Sequence, residues 1–354
     1  MVTVAIPVLN GIRWLPGVLA AVASQELDHE VEILVCDSGS DDGSRELLIR
    51  AGARVIDLAP GAFNHSTARN LLMEQARGEF VAMISQDAEP ADQRWLARLV
   101  DGFDVGDDVA LVYGPYLPRP GSPMREASHL RQFFSAMSPD GTPRVDRLAT
   151  SERAIPSIEL IGPTGYFTDA NGCIRRDAWQ QVPYPDAPYA EDQALAVMML
   201  RAGFAKVFLP EAAVLHSHRY TLVQQLRRAF DDWRGLLEVY GWREPLSPGH
   251  IILQLRGAAG MTQRAMRSAG LPRRREPVAL LAAAAEQLLR LTGAILGSRA
   301  DRLPGWARQM LSLEGRASFH PLHSTPLAAG PRPATGVKAA DRRVPGAQQR
   351  KPSA

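Results

Sequence analysis

The stretch Phe63–Pro90, FNHSTARNLLMEQARGEFVAMISQDAEP, decides the fold. It reads as a polar loop ending in Arg69, a helix from about Asn70 to Arg77, and a strand at Phe80–Ile84 that runs out into Asp87, flanked by Ser85, Gln86 and Ala88. An open α/β sheet binds its ligands outside the carboxyl ends of its strands, so an apolar strand that delivers an aspartate there is presenting a metal or phosphate ligand. The layout recurs upstream, where the strand VEILV (Val31–Val35) runs into Cys36, Asp37 and the turn SGSDDGS. Two strand-end aspartates about fifty residues apart, on neighbouring strands, predict a nucleotide-and-metal site.

Outward from that core, the first ~115 residues alternate strand and helix. VTVAIPV is a buried strand, Trp14–Ser24 a helix and VEILVCD a second strand; a helix at Ser44–Ala51 and the strand ARVIDL follow. After FVAMI come the helix Gln93–Gly102 and ALVYGPYLP, read as one further strand. Crossovers between parallel strands need helices, so this order predicts a doubly wound, mostly parallel sheet with helices on both faces. Residues 119–163 are rich in Pro, Gly and Ser around one helical piece, Met124–Met137, the composition of a functional lid. YFTDANGCIRRDAW reads as strand, turn and helix, AEDQALAVMMLRAGF as a helix stopped by Gly203, and KVFLPEAAVLHSHRY as two short strands. Beyond Tyr220 the chain turns to amphipathic helices at Leu222–Tyr240, Gly249–Ser268 and Pro277–Leu296, and the end of the chain reads as a disordered tail. Three parts follow: residues 1–220, divided near 118, a helical extension at 221–315, and a basic tail at 316–354.

At 354 residues, 45% hydrophobic and 22% charged, the composition is that of a globular chain with a substantial core. A net charge of +2 excludes a strongly basic nucleic-acid binder. The charge is uneven: Ile251–Arg275 holds Arg256, Arg264, Arg267, Arg273, Arg274 and Arg275 with no acid. Two cysteines, Cys36 and Cys173, exclude a disulfide framework and a Cys-rich zinc site. The chain enters its first strand at once, and Val278–Leu296 is interrupted by Glu286, Gln287 and Arg290. The expectation is a cytoplasmic protein, with a peripheral place on the inner face of the membrane open to it.

Several residues carry chemistry, each with a blander alternative. Asp37 accepts hydrogen bonds from a base or ribose edge, or only closes an Asx-type turn. Asp87 suits a hard divalent cation held against a diphosphate, or caps a helix. Arg69 offers a fork of donors to phosphate, or faces solvent. Glu191-Asp192 opens a helix, where two acids complement the dipole; one of them is the candidate general base for transfer to a hydroxyl. His216 and His218, two apart on a presumed strand, point to opposite faces, so one can serve the site while the other packs or faces water. GxGxxG is missing, which leaves a nicotinamide site without support.

Together these residues resemble glycosyltransferase family 2, enzymes of the GT-A fold. The likeness rests on IPVLNGIRWLPGVLAAVASQ, DSGSDDGS, ARN at Ala68–Asn70, the strand-end Asp87 and the Glu-Asp pair, in the family's order. Phe63-Asn64-His65, Gln86-Asp87-Ala88 and LTGAILGSRADRLPGWARQMLS (Leu291–Ser312) are similar to that family's rhamnosyltransferases. The likeness covers roughly residues 1–315 and is weakest at 119–160. Ser85 departs from the wider family, standing where many members have the first acid of Asp-x-Asp.

The resemblance implies an inverting enzyme that moves a sugar, L-rhamnose from dTDP-L-rhamnose, onto a glycan or lipid-linked glycan in cell-surface polysaccharide synthesis. It implies nucleotide-sugar contacts at Pro7, Asn10, Asp37, Ser40, Arg69 and Gln86, with Asp37 on the base and Arg69 near the diphosphate. Asp87, His216 and His218 become ligands of a divalent cation, Mg²⁺ or Mn²⁺. Asp192 becomes the base, with Glu191 second. An anionic membrane surface is a further expected partner and nucleic acid is not. The alternative is a non-catalytic nucleotide-sugar or glycan-binding subunit of the same fold.

Overall fold

The computed structural model describes residues 1–58, 63–187 and 189–324. The chain runs β1 (Val2–Val8), α1 (Leu15–Ala23), β2 (Val31–Asp37), α2 (Ser44–Arg50), β3 (Arg54–Asp57), α3 (His65–Gln75), β4 (Phe80–Ile84), β5 (Glu89–Pro90), α4 (Trp95–Asp101), β6 (Val109–Tyr113) and β7 (Tyr116–Leu117). It continues through α5 (Met124–Met137), β8 (Arg144–Asp146), β9 (Asn171–Arg175), α6 (Arg176–Gln181), α7 (Glu191–Ala202), β10 (Ala205–Phe208) and β11 (Val214–Leu215). Four helices follow: α8 (Leu222–Tyr240), α9 (Pro248–Ser268), α10 (Glu276–Gly297) and α11 (Gly305–Leu311).

An eight-stranded sheet of order β3-β2-β1-β4-β9-β6-β10-β8 forms the centre. It is parallel except for β9, antiparallel to β4 and β6, and edge strand β8, antiparallel to β10. This is the mostly parallel doubly wound sheet with a helical C-terminal region that the alternation of elements implies. Along β1 successive side chains enter different cores: Val4 and Ile6 pack with α1 and α4, whereas Ala5 faces Leu72 of α3 and Leu195 of α7. Both faces are covered, which is why the strand reads as a continuous apolar run.

Local readings change at four places. Strand β1 lies between β2 and β4, so Asp37 and Asp87 do not end adjacent strands. Helix α3 begins at His65, because the Asn64 side chain accepts the Ser66 N–H at 2.9 Å and caps it. Arg69 therefore sits on a buried helical face beside Ala68 and Leu72. The single strand expected at ALVYGPYLP breaks into β6 and β7 at Gly114, where a Cβ would lie 1.7 Å from the Ala212 carbonyl oxygen. Residues 316–324, the start of the expected tail, lie along α8: the His320 N–H donates to Glu238 and the Arg316 carbonyl accepts from Arg234. The rest of that tail, 325–354, lies outside the described residues.

A second, three-stranded sheet, β5-β11-β7, organises the site. It pairs Leu215 with Glu89 and with Leu117. The residues just before β5 and just after β11 and β7 are thereby gathered at one edge: Asp87, His216 and Arg119.

Candidate active site

A cavity of about 750 Å³ opens where β4, β11, α3, α5, α7 and α8 converge, and Arg69, Asp87, Glu191, Asp192, His216 and His218 line it. Aromatic side chains, among them Phe133, Tyr166, Tyr189 and Trp233, form much of the remaining wall. Pro7, Asn10, Asp37, Ser40 and Gln86 are not part of this wall. They cluster beside it, at the ends of β1, β2 and β4.

The Glu-Asp pair opens α7 after Ala190, a non-glycine residue in left-handed backbone (φ 56°). Such a conformation is strained for an alanine and persists only where surroundings impose it. The α8 backbone packs closely on it at Gly235, where a Cβ would approach the Ala190 Cβ to 2.7 Å. Glu191 is ion-paired with Arg69 (Nη1–Oε1 2.6 Å), whose Nε lies 2.7 Å from Asp169 Oδ2, although that N–H is not aligned as a hydrogen bond. Burial opposes the charge on Arg69, but Glu191 and Asp169 hold its pKa above the ordinary value. Asp192 is different. Its Oδ1 accepts from the Gln193 N–H at 2.8 Å and its Oδ2 from the Asp169 N–H at 3.4 Å, and among the described residues no cation is within ion-pair distance. Burial, and then the charges of Glu191 and Asp169, push its carboxyl well above the ordinary range. The same burial raises Asp169 to about 6.

Asp169 is the member of this cluster that the sequence reading does not single out. Its carboxylate sits 1% exposed and accepts the Tyr184 hydroxyl at 2.7 Å. The signal was an acid set between the fully buried Phe167 and Cys173, read there as part of a turn.

Asp87, His216 and His218 form the second group, their ligand atoms all within 4.8 Å of one another. His216 Nδ1 lies 3.4 Å from Asp87 Oδ1, His218 Nδ1 3.7 Å from Asp87 Oδ2, and the two Nε2 atoms are 3.2 Å apart. The expectation that the histidines point to opposite faces fails because β11 ends at Leu215, and strand alternation ends with it. Burial lowers both imidazole pKa values, that of His218 to about 4, leaving each ring neutral with one lone-pair nitrogen. One carboxylate and two imidazoles fit a divalent metal, and this mixed nitrogen–oxygen set suits Mn²⁺ better than all-oxygen-seeking Mg²⁺. Arg119, over the Trp14 ring, donates to the Asp87 carbonyl at 2.6 Å and fixes that turn. Buried Ser85 Oγ has no hydrogen-bond partner among the described residues, and Ser85 is on the cavity wall.

The third group is local. Ser40 Oγ donates to Asp37 at 2.6 Å and accepts from the Asn10 N–H at 2.9 Å; Asn10, itself at φ 51°, accepts from the Asp41 N–H. The Gln86 amide is engaged at both ends by the Leu9 backbone (2.9 and 3.1 Å), which ties the end of β4 to that of β1. Pro7 lies within β1, in register with Cys36.

The family model for glycosyl transferase family 2 matches residues 3–151, the segment that carries Asp37, Arg69 and Asp87. Over that segment the chain is similar to glycosyltransferase family 2. Among curated proteins it is 28% identical to the O-antigen chain rhamnosyltransferase WbaN of Salmonella anatum, over 58% of this chain and 63% of that one. It is also 28% identical to the O-antigen chain rhamnosyltransferase RfbN of Salmonella typhimurium, over 65% of this chain and 70% of that one. The chain thus spans somewhat under two thirds of the first relative and somewhat over two thirds of the second. Among solved structures, the mannosyltransferase PcManGT of Pyrobaculum calidifontis, in complex with GDP-Man and Mn²⁺, superposes with a TM-score of 0.54 at 18% identity, covering 84% of this chain and 86% of that one. The chain therefore shares the GT-A fold of that enzyme.

Proposed function

We propose that the chain is an inverting glycosyltransferase that moves a sugar, L-rhamnose from dTDP-L-rhamnose, onto a hydroxyl of a lipid-linked glycan in cell-surface polysaccharide synthesis. The observation that carries this reading is Asp192: a carboxylate on the cavity wall with a raised pKa and, among the described residues, no cation paired to it, beside two carboxylates that are held by Arg69. A binding protein has no need of such a group; a transferase needs it as a base. Asp192 takes the proton of the acceptor hydroxyl as its oxygen bonds to the anomeric carbon, and the bond to the nucleoside diphosphate breaks on the opposite face. Arg69 serves as the clamp for Glu191 and Asp169 rather than as a phosphate ligand, because two carboxylates already match its charge.

Asp37 takes a donor from the base, in a turn preset by Ser40 and Asn10. Asp87, His216 and His218 would hold a divalent cation, Mn²⁺ before Mg²⁺. When bound, such an ion neutralises charge on the diphosphate. The rings of Phe133, Tyr166, Tyr189 and Trp233 suit the apolar faces of an acceptor glycan. The rhamnose assignment is supported by the likeness to two rhamnosyltransferases and by the Phe63–His65 and Gln86–Ala88 motifs.

Residues 1–220 are assigned as the catalytic unit and 221–315 as a helical extension that rests on an anionic membrane at the cytoplasmic face. By length and composition one described helix, Arg273–Gly297, is apolar enough to cross a membrane. It is docked instead: the Leu226 and Phe230 carbonyls pack against Gly293 and Gly297. Leu291, expected on the outer face, is buried, while Val278, Leu281 and Leu288 are exposed along one stripe beside exposed Arg273, Arg274 and Arg275. Anionic lipid contributes ~1 kcal/mol for each such arginine near the surface.

Side-by-side turnover of dTDP-L-rhamnose, UDP-glucose and GDP-mannose tests the reaction, with dTDP-L-rhamnose expected to lead. Faster turnover of either rival removes the rhamnose assignment; nucleotide-sugar binding without transfer or hydrolysis in any of the three removes catalysis. Cosedimentation with anionic liposomes at low and high salt tests the surface, which is refuted if nothing pellets at low salt.

A further inference from the structure

Two parts of the sequence that set this chain apart within its resemblance, Phe63-Asn64-His65 and the tail ending at Leu311-Ser312, are about 250 residues apart and have no part in the reaction as described. In the fold they meet. Beyond α11 the chain crosses α8, where buried Asp231 takes three donors from it: Ser312 Oγ at 3.1 Å, the Leu313 N–H at 2.7 Å and the Glu314 N–H at 3.4 Å. Further along, the His320 N–H donates to Glu238, so residues 312–324 form a strap fastened to α8 at two acids. Fastening at Asp231 turns Glu314 into the cavity, where His65 Nε2 lies 3.1 Å from its Oε2.

The other nitrogen of His65 lies 3.0 Å from Arg69 Nη1. Arginine only donates, so Nδ1 must be the acceptor and the proton is on Nε2, directed at Glu314. An unbroken series of contacts results: Glu314, His65, Arg69, and then Glu191 and Asp169 beside Asp192. The strap's carboxylate selects the tautomer that lets His65 hold the clamp arginine.

We infer that His65 and Glu314 are positioning residues for glycosyl transfer: the C-terminal strap sets the geometry of the Asp192 cluster through the His65 ring. The inference rests on the assignment of Asp192 as the base. Glu314 also faces Arg316 (2.7 Å) and lies near Arg228 and Asp231, and these charges remain when it is replaced by an uncharged residue.

The test has a part that needs no turnover. Imidazole ¹⁵N spectra of the full chain should show His65 protonated on Nε2 with an acceptor Nδ1; a ring protonated on Nδ1 alone overturns the inference. In transfer assays, Glu314→Ala and His65→Ala should each lower kcat about ten-fold with the donor KM within two-fold, and the double variant should lose little more, because both changes break one coupled unit. Glu314→Gln, which keeps the acceptor oxygen, should recover most of the loss. Unchanged kcat in Glu314→Ala, or losses that multiply in the double variant, overturns the inference. A wild type without transferase activity refutes the proposed function instead, and the spectrum still decides whether the contact exists.

Discussion

Asp37 and Asp192 are both aspartates at the edge of the binding region, and they are built in opposite ways. Asp37 closes β2 and is satisfied by a residue three positions on, with Asn10 completing the turn. Asp192 is placed by α7, strained at Ala190 against Gly235, and takes its electrostatics from Glu191, Asp169 and Arg69. The first is held by the two neighbouring strand-end turns after β1 and β2. The second exists only when four separate stretches of chain come together. The difference matters for function: a local turn fixes where a ligand lies, whereas a raised pKa requires burial and like charge that no single turn supplies.

The largest effect expected from breaking this comparison is at the assembled aspartate. Asp192→Asn should cut kcat by about 10³-fold, the scale of a lost general base, with donor affinity within a few-fold. Most of the turnover surviving would reduce Asp192 to a helix-dipole residue. In wild type the sign of the pH dependence follows from the same group. The ionised form is the base, so rate is lost as pH falls through its raised pKa, and the acid limb should lie well above the ordinary aspartate value of ~3.9. An acid limb at the ordinary value would show that burial and like charge do not act there.

Next in size is the metal group. Asp87→Ala should weaken nucleoside diphosphate binding by ~10–100-fold with Mn²⁺ present, at least the scale of losing a supporting metal contact, and by little in chelator. Wild-type affinity that is indifferent to metal would remove the ligand role of Asp87, His216 and His218.

Asp37→Asn and Gly235→Ala sharpen the contrast directly. The first should lower nucleoside diphosphate affinity about ten-fold, the worth of a charge-assisted hydrogen bond, with kcat at saturating donor unchanged. The second should do the reverse. A Cβ at Gly235 would force Ala190 aside, and a small misplacement of Asp192 should cost kcat up to about ten-fold while leaving nucleotide affinity alone. If both variants alter the same parameter, the two aspartates do not divide recognition from chemistry.

Smallest is a stability effect on the strap side. Burial pushes Glu238 up to about 8. A folded-state pKa raised above the unfolded value contributes stability at low pH that is lost as pH rises through the folded value. Thermal stability should therefore decline between about pH 4.5 and 8, and Glu238→Gln should flatten that decline by about 1–2 kcal/mol at most, read from melting curves across pH. A wild-type curve that is flat over this range would mean Glu238 is ionised throughout.

The sequence by itself determined the sheet and its helices, because burial on both faces leaves continuous apolar runs whose ends are marked by turn residues, and β2, β4 and α8 fall where those marks stand. It also carried the turn at Asp37, whose partners Ser40 and Asn10 lie in the two strand-end turns it displays. What it left open was everything decided by approach between distant segments. The order of strands put β1 between the two aspartates, and the cap at Asn64 moved Arg69 from a polar loop to a buried helical face. The small sheet turned two histidines that strand alternation would separate toward one carboxylate. Asp169, an acid in what looks like a turn, became the partner of Arg69, and the strap carried Glu314 back to His65. Hydrophobic periodicity is a property of neighbours along the chain and can be read there. The pKa of Asp192 and the tautomer of His65 depend on which charges burial brings within a few ångströms, and only the folded chain brings them there.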